Sequence, residues 1–138
     1  MTLNWGIPYL IMTPVVTNLM DNKNISSPNP FSSIVGEQLS AVCFVQDYLQ
    51  LEFDGYKLTT YTTPMVVISD STSITYHQGD YKNLLCGFIA KKVRDITYVE
   101  TESVEIFFDT SMHSIKIILN PDSDNIYYSD YEEKWFVI

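Results

Sequence analysis

Two segments of this 138-residue chain share one pattern of apolar residues, which predicts a strand, a turn and a second strand in each. The copies span residues 34–64 and 88–121, and each ends on a proline. A repeated antiparallel unit in so short a chain predicts one sheet-based domain that commits most apolar residues to its core. Corresponding positions hold Leu39, Val42, Phe44, Leu49, Leu51, Phe53 and Asp54 in the first copy, and Val93, Ile96, Tyr98, Val104, Ile106, Phe108 and Asp109 in the second.

These signals predict an α+β fold, with a largely antiparallel sheet built from two similar β-meanders and one helix packed on it. Asp54-Gly55 predicts a two-residue hairpin turn, because glycine accepts positive φ without steric cost. The helix is expected to run from about Tyr81 to Lys91, with Asp80 as its N-cap.

We expect a single domain over residues 1–138. Residues 135–138 are expected to pair with the sheet, because four apolar residues would otherwise be exposed. Within the N-terminal extension, residues 5–16 are expected to supply one or two short strands and residues 21–30 an exposed loop. The segments are the extension (1–33), the first meander (34–64), the helix (80–92), the second meander (93–121), and an acidic tail with a terminal strand (122–138).

Two predictions concern burial. Residues 41–45 are continuously apolar, which is typical of a strand covered on both faces. Cys43 and Cys86 lie in apolar neighbourhoods and do not make a disulfide framework, so we expect buried, reduced thiols.

The chain carries a net charge of −9, which limits the partners it can bind. Lys and Arg dominate binding to nucleic acid and to anionic membranes, so neither is expected as a partner. The charge favours a basic partner or serves solubility alone. No stretch has the length of a membrane span, and the N-terminal segment is a poor signal peptide, so a cytoplasmic protein is expected.

Few side chains are candidates for catalysis. His77 and His113, with Lys116 nearby, would suit a small metal-independent nuclease in which two imidazoles act as acid and base. Two loop histidines without a shared role are the commoner arrangement. We predict no metal site and no cofactor, because neither metal-ligand spacing nor a glycine-rich phosphate loop occurs.

Acidic residues and tyrosines offer more material for binding a protein. Three glutamates cluster at one meander turn, and five carboxylates crowd the tail with tyrosines among them. Carboxylates steer the encounter with a basic protein, and tyrosine rings supply buried anchor area. The alternatives are a surface that imitates nucleic acid, or a solvated loop whose tyrosines fill the edge of the core. The predicted partner-binding residues are Glu100, Glu102, Glu105, Asp122, Asp124, Asp130, Tyr131, Glu132 and Glu133.

The segment from Gly36 to the C-terminus resembles a family of small bacterial proteins that are similar to immunity proteins of toxin systems such as contact-dependent inhibition. The resemblance implies a cytoplasmic protein, not an enzyme, that binds and neutralises a cognate toxin domain, here expected to be basic, with a nuclease as one candidate. A sheet edge that recruits a peptide strand is a further possibility. The matching motifs are Gly36, Leu51-Glu52-Phe53-Asp54-Gly55, Pro64, Leu85-Cys86-Gly87, Ile89 with Val93, Phe107-Phe108-Asp109, Pro121 and Trp135-Phe136-Val137-Ile138.

Overall fold

The structure, a computed structural model, describes residues 29–138, so the predictions for residues 5–16 and for most of 21–30 lie outside the described residues. Phe31–Ile138 form one compact unit. After a short 3-10 turn (Ser32–Ile34), its elements are β1 (Ala41–Val45), β2 (Tyr48–Phe53), β3 (Tyr56–Thr60), β4 (Met65–Ser69), β5 (Thr72–Ile74), α1 (Tyr81–Cys86), β6 (Val93–Val99), β7 (Ser103–Phe108), β8 (Ser114–Ile118), β9 (Ile126–Ser129) and β10 (Trp135–Val137).

The strands form two five-stranded antiparallel sheets. The first sheet has the order β10-β9-β3-β2-β1 and the second β5-β4-β8-β7-β6. Each predicted meander therefore supplies three consecutive strands of its own sheet. The predicted fold class is confirmed, and the structure adds that the two repeats build two sheets.

The two repeats correspond in three dimensions as well as in sequence. Val42 lies opposite Leu51 in the first sheet, and Ile96 lies opposite Ile106 in the second. Alternate residues of β2 and β7 are buried, as the period-2 pattern predicts. The buried faces of both sheets join one hydrophobic core. Its central side chains are Leu49, Leu51, Phe53, Val104, Ile106 and Phe108.

A short stretch of backbone pairing joins the segment that leads into β1 to the edge of the second sheet. The amide of Leu39 donates to the Lys91 carbonyl at 3.0 Å, and the Ala90 amide donates to the Leu39 carbonyl at 2.8 Å. The Gly36 amide donates to the Val93 carbonyl at 2.8 Å. Gly36 has φ +92, which favours glycine at this turn.

The helix is shorter than the sequence predicts. It ends at Cys86, so the predictions of a helix to Lys91 and of a helical segment over 80–92 are wrong. After Cys86 the chain continues in turns, and Ala90 has φ +78, a left-handed conformation that an α-helix excludes. Pairing with Leu39 at Ala90 and Lys91 takes the place of further helix. Asp80 occupies the N-cap position, but its side chain makes no cap hydrogen bond.

Both burial predictions are wrong. Only one face of β1 is covered, and the strand also lies at the edge of the first sheet. Val42 and Phe44 pack against the core, whereas Val45 is exposed. The two cysteines, Cys43 and Cys86, are free thiols as predicted but are exposed.

The acidic tail contains a strand that the sequence analysis missed. β9 lies between β3 and β10, so the tail is part of the first sheet. The predicted terminal strand is confirmed, because Trp135–Val137 pairs with β9. The four residues of β9 are flanked by turn formers, which conceal so short a strand.

Stability should fall between about pH 10 and pH 12, because two buried tyrosines stay protonated in the folded chain. Burial, with the nearby Tyr76, raises the pKa of Tyr81 to about 12, and its hydroxyl donates to the Pro64 carbonyl at 2.6 Å. The pKa of Tyr128 is also raised to about 12, chiefly by burial. The unfolded chain releases these protons from about pH 10, so the stabilisation is complete below pH 10 and is lost as the pH rises through 12.

Thermal unfolding of the wild type and of Tyr81→Phe between pH 8 and pH 12 tests this dependence. Tyr81→Phe should lower the free energy of unfolding by about 1 kcal/mol at pH 8, because the hydrogen bond is lost. Its loss of stability above pH 10 should be shallower than that of the wild type. Tyr128→Phe should also give a shallower loss, and a wild-type slope in both variants would contradict the prediction.

Candidate partner-binding surface

The nine predicted binding residues separate into two groups and one isolated residue. Asp122 and Asp124 precede β9, whereas residues 130–133 follow it, and four residues of strand span roughly 13 Å. The Leu119 amide donates to the Glu102 carbonyl at 2.9 Å, which brings the turn at residues 100–102 beside the loop that contains Asp122. We call Glu100, Glu102, Asp122 and Asp124 the acidic loop group, and Asp130, Tyr131, Glu132 and Glu133 the acidic hairpin.

Glu105 belongs to neither group. It lies within β7 and is half-buried, so its predicted place in the meander turn is wrong. Its carboxylate accepts a hydrogen bond from the Ser114 hydroxyl at 2.5 Å, and its register partner on β8 is Lys116. The Glu105 carboxylate is therefore hydrogen-bonded on the outer face of the second sheet, separate from both acidic groups.

Hydrogen bonds to one side chain hold the acidic hairpin in shape. The Asp130 carboxylate accepts from the Glu132 amide at 2.8 Å and from the Lys134 amide at 2.9 Å. Glu133 takes φ +65 within this turn. Asp130 is thus a positioning residue, whereas Glu132 is exposed and makes only a solvent-exposed ion pair with Lys134 at 3.5 Å. Such a pair contributes little to stability, so the Glu132 carboxylate remains available to a partner.

A neighbouring hairpin fixes the exposed ring of Tyr131. This side chain is 67% exposed, and its ring meets that of Tyr56 edge-on with centroids 5.9 Å apart. Tyr56 in turn stacks on Tyr128 at 6.3 Å. A Cβ at Gly55 would lie 3.0 Å from the Cβ of Tyr131, so the Asp54-Gly55 turn permits this close approach. Both turn residues have positive φ, as the predicted hairpin requires.

The electrostatics add two residues to the acidic hairpin that the sequence analysis did not select. Burial and then the carboxylate of Glu37 raise the pKa of the Tyr56 phenol, with smaller contributions from Tyr131, Asp130 and Glu132. Glu37 therefore lies near the Tyr56 hydroxyl. The register of β9 against β3 places Tyr56 next to the acidic hairpin, and this pairing is not visible in sequence. We call Glu37, Tyr56 and the acidic hairpin together the tyrosine–carboxylate surface.

An open cleft lies at the N-terminal end of β2, away from the tyrosine–carboxylate surface. It has a volume of about 430 Å³ and includes the β1–β2 turn at Gln46 and Asp47. The Lys82 ammonium lies 5.7 Å from the Phe44 ring and 5.4 Å from the Tyr76 ring, distances at which cation–π attraction operates. This cleft contains none of the nine predicted binding residues.

The structure places the two histidines in different surroundings. The His77 ring lies 4.6 Å from that of Tyr76, at a cavity of about 350 Å³ beside the start of α1. His113 lies in the loop before β8, where its amide donates to the Ser111 hydroxyl at 3.1 Å, and it does not line that cavity. Within residues 29–138, no group of three or more His, Cys, Asp or Glu side chains is placed to hold a metal ion.

Comparisons with protein-family models, curated proteins and solved structures found no match to this chain. The resemblance to immunity proteins therefore stays a prediction. Across the part of the chain that the structure describes, no helix has both the length and the apolar character needed to cross a membrane.

Proposed function

We propose that this chain is an immunity protein that binds a cognate bacterial toxin domain and neutralises it. The partner is expected to be basic, with a cationic nuclease as the leading candidate, and its active site or substrate groove is blocked on binding. The observation that carries the proposal is the tyrosine–carboxylate surface, where an exposed, fixed tyrosine lies among carboxylates. Its place of action would be the cytoplasm, where a nuclease toxin meets its substrate.

The two kinds of side chain on this surface have different roles in association. Carboxylates raise the rate of encounter with a basic protein, and this effect weakens as salt screens the charges. Tyrosine rings supply contact area at low conformational cost, which suits them to be anchors. Tyr131 and Tyr56 are the proposed anchors, and Glu132 and Glu133 are the proposed charged contacts.

Preorganisation supports the same surface. The two hydrogen bonds to the Asp130 carboxylate fix the hairpin before any partner arrives. The edge-on contact with Tyr56 orients the Tyr131 ring. Binding then loses little further conformational freedom, so more of the contact energy appears as affinity. The acidic loop group lies at the other end of β9, where its charges contribute long-range steering.

Two double charge reversals separate contact from steering. Glu132→Lys with Glu133→Lys alters the proposed contact, whereas Glu100→Lys with Glu102→Lys makes the same change in net charge in the acidic loop group. With the toxin domain encoded by the adjacent gene as the probe, the first variant should weaken binding about 10- to 100-fold and abolish protection of cells. The second should lower the association rate only a few-fold.

Binding kinetics at several salt concentrations and a co-expression survival assay give the two readouts. Equal losses in both double variants would mean that net charge alone acts, and the tyrosine–carboxylate surface would not be the contact. A wild-type chain that neither binds the toxin domain nor protects cells would refute the immunity proposal.

A further inference from the structure

The pattern of backbone hydrogen bonds between β9 and β10 determines which backbone groups of β10 face outward. Ile126 and Ile138 exchange both of their backbone hydrogen bonds, at 3.1 and 3.0 Å. Bonded and non-bonded pairs alternate along an antiparallel ladder. The register pairs Tyr127 with Val137 and Ser129 with Trp135, so these are the non-bonded pairs. The amide and carbonyl groups of Trp135 and Val137 therefore point away from β9.

The two residues whose backbone groups point away from β9 are also exposed. Trp135 is 62% exposed and Val137 40% exposed, whereas Phe136 turns inward and packs on Phe31 with ring centroids 5.4 Å apart. The Trp135 ring rests on Tyr127 at 5.6 Å. Among the strands of the described residues, β9 is the only neighbour of β10. An exposed edge with these groups is a template for another strand.

Carboxylates flank this edge at both ends. Glu132 and Glu133 stand just before β10, and the Asn125 amide donates to the Ile138 carbonyl at 2.6 Å, which brings the neighbouring Asp124 to the far end. Residues 122–138 hold five carboxylates and one lysine. A second copy of the chain would bring like charges together, with a net charge of −9 on each partner. An extended segment with basic residues at its ends would be complementary.

We propose that the outer edge of β10 binds an extended, basic segment of the partner by strand addition. This inference rests on the proposed function and specifies the binding mode. The added strand pairs with the outward amide and carbonyl groups of Trp135 and Val137, and Trp135 covers one of its side chains. Its basic residues meet Glu132 and Glu133 at one end and Asp124 at the other.

A defined peptide tests the edge without a toxin. The probe is a peptide of alternating valine and threonine with two lysines at each end, and the matched probe carries glutamates in their place. Trp135 fluorescence reports binding in the full chain with Trp5→Phe, which removes the other tryptophan. The lysine peptide should bind at least 10-fold more tightly than the glutamate peptide.

Val137→Pro removes one outward amide and leaves the pairing with β9 intact, because proline is tolerated where the amide faces away from the sheet. It should weaken binding of the lysine peptide about 10-fold. Val137→Ala keeps the amide and should weaken it less than 3-fold. Amide hydrogen exchange on the wild-type chain gives a second measurement: peptide should slow exchange at Trp135 and Val137 but leave Phe136 unchanged. This measurement still decides the question if Val137→Pro fails to fold.

Several results would overturn the inference. The lysine peptide fails the test in any of four ways: no binding at millimolar concentration, binding equal to that of the glutamate peptide, no slowing of exchange at Trp135 and Val137, or equal binding by folded Val137→Pro and wild type.

A dimer in sedimentation that Val137→Pro abolishes would assign the edge to a second copy. If Val137→Pro still binds and neutralises the toxin like the wild type, strand addition fails and the immunity function stands. If the peptide binds the edge but no toxin is neutralised, the immunity function fails and the edge site stands.

Discussion

Phe108→Ala should lower the free energy of unfolding by about 3–5 kcal/mol, the range for removing a large buried aromatic side chain. Phe108 is fully buried, and its ring stacks on that of Phe88 with centroids 4.6 Å apart. The corresponding residue of the first repeat, Phe53, is also fully buried. Phe53→Ala should therefore have an effect of similar size.

Phe107→Ala is the matched control. Phe107 neighbours Phe108 but faces outward, where the Arg94 guanidinium lies 5.6 Å from its ring. Its loss should cost about 1 kcal/mol or less, because a half-buried ring leaves little cavity. Urea unfolding followed by circular dichroism measures all three variants.

The same experiment tests whether the two sheets share one core. Residues of both sheets belong to a single buried cluster, so Phe53→Ala and Phe108→Ala should each shift one cooperative transition. A biphasic curve in which each substitution moves only one phase would contradict a shared core. A loss under 1 kcal/mol for Phe108→Ala would contradict its burial.

Features that depend on local pattern could be predicted from sequence. The alternation in β2 and β7 fixes which side chains face inward, because successive residues of a strand point to opposite faces. Asp54-Gly55 fixes a turn, because few other pairs accept two positive φ angles. The repeated alternation, with this turn and the helix signal after Asp80, was sufficient for the fold class.

Features that depend on long-range pairing could not be predicted. Residues 41–45 have the composition of a strand covered on both faces, yet what packs over each face depends on the tertiary fold, and one face of β1 is exposed. The end of α1 depends on the pairing of Leu39 with Ala90 and Lys91, residues far apart in sequence. For the same reason, the position of the short β9 between β3 and β10 could not be predicted, although its Ile and Tyr residues are common in strands.

The same difference between local pattern and long-range pairing applies to the candidate surface. Charge and tyrosine content identified the acidic hairpin, because such residues are conspicuous in sequence. Tyr56 escaped notice because the pairing of β9 with β3 brings it there, and Glu37 because the tertiary fold brings the segment before β1 near Tyr56. Glu105 was included because it is close to Glu102 in sequence. Glu102 lies in the turn, however, whereas Glu105 lies within β7.

Asn125→Ala should lower the free energy of unfolding by about 2–3 kcal/mol, because one buried amide side chain holds the loop between β8 and β9. Asn125 is 4% exposed. Its side-chain amide donates to the carbonyls of Asn120 and Ser123, each at 2.9 Å, and its side-chain oxygen accepts from the Asn120 amide at 2.7 Å. Truncation removes all three hydrogen bonds of the buried side chain, although the Asn120 carbonyl keeps the Ser123 amide as a donor at 3.3 Å.

Asn125→Asp distinguishes the two donated bonds from the accepted one. The new carboxylate can still accept from the Asn120 amide, but it faces the carbonyls of Asn120 and Ser123 and lies next to Asp124 in sequence. Burial and these oxygens should raise its pKa in the folded chain above the ordinary value of about 3.9. A group with a raised folded pKa stabilises most at low pH and loses that contribution as the pH rises.

The difference in stability between Asn125→Asp and the wild type should therefore be wide at pH 8 and narrow towards pH 4. Thermal unfolding measures it, with the exposed Asn120→Asp as control. A difference that stays constant with pH would mean that burial and the neighbouring oxygens do not raise the pKa of the new carboxyl, which would contradict the prediction.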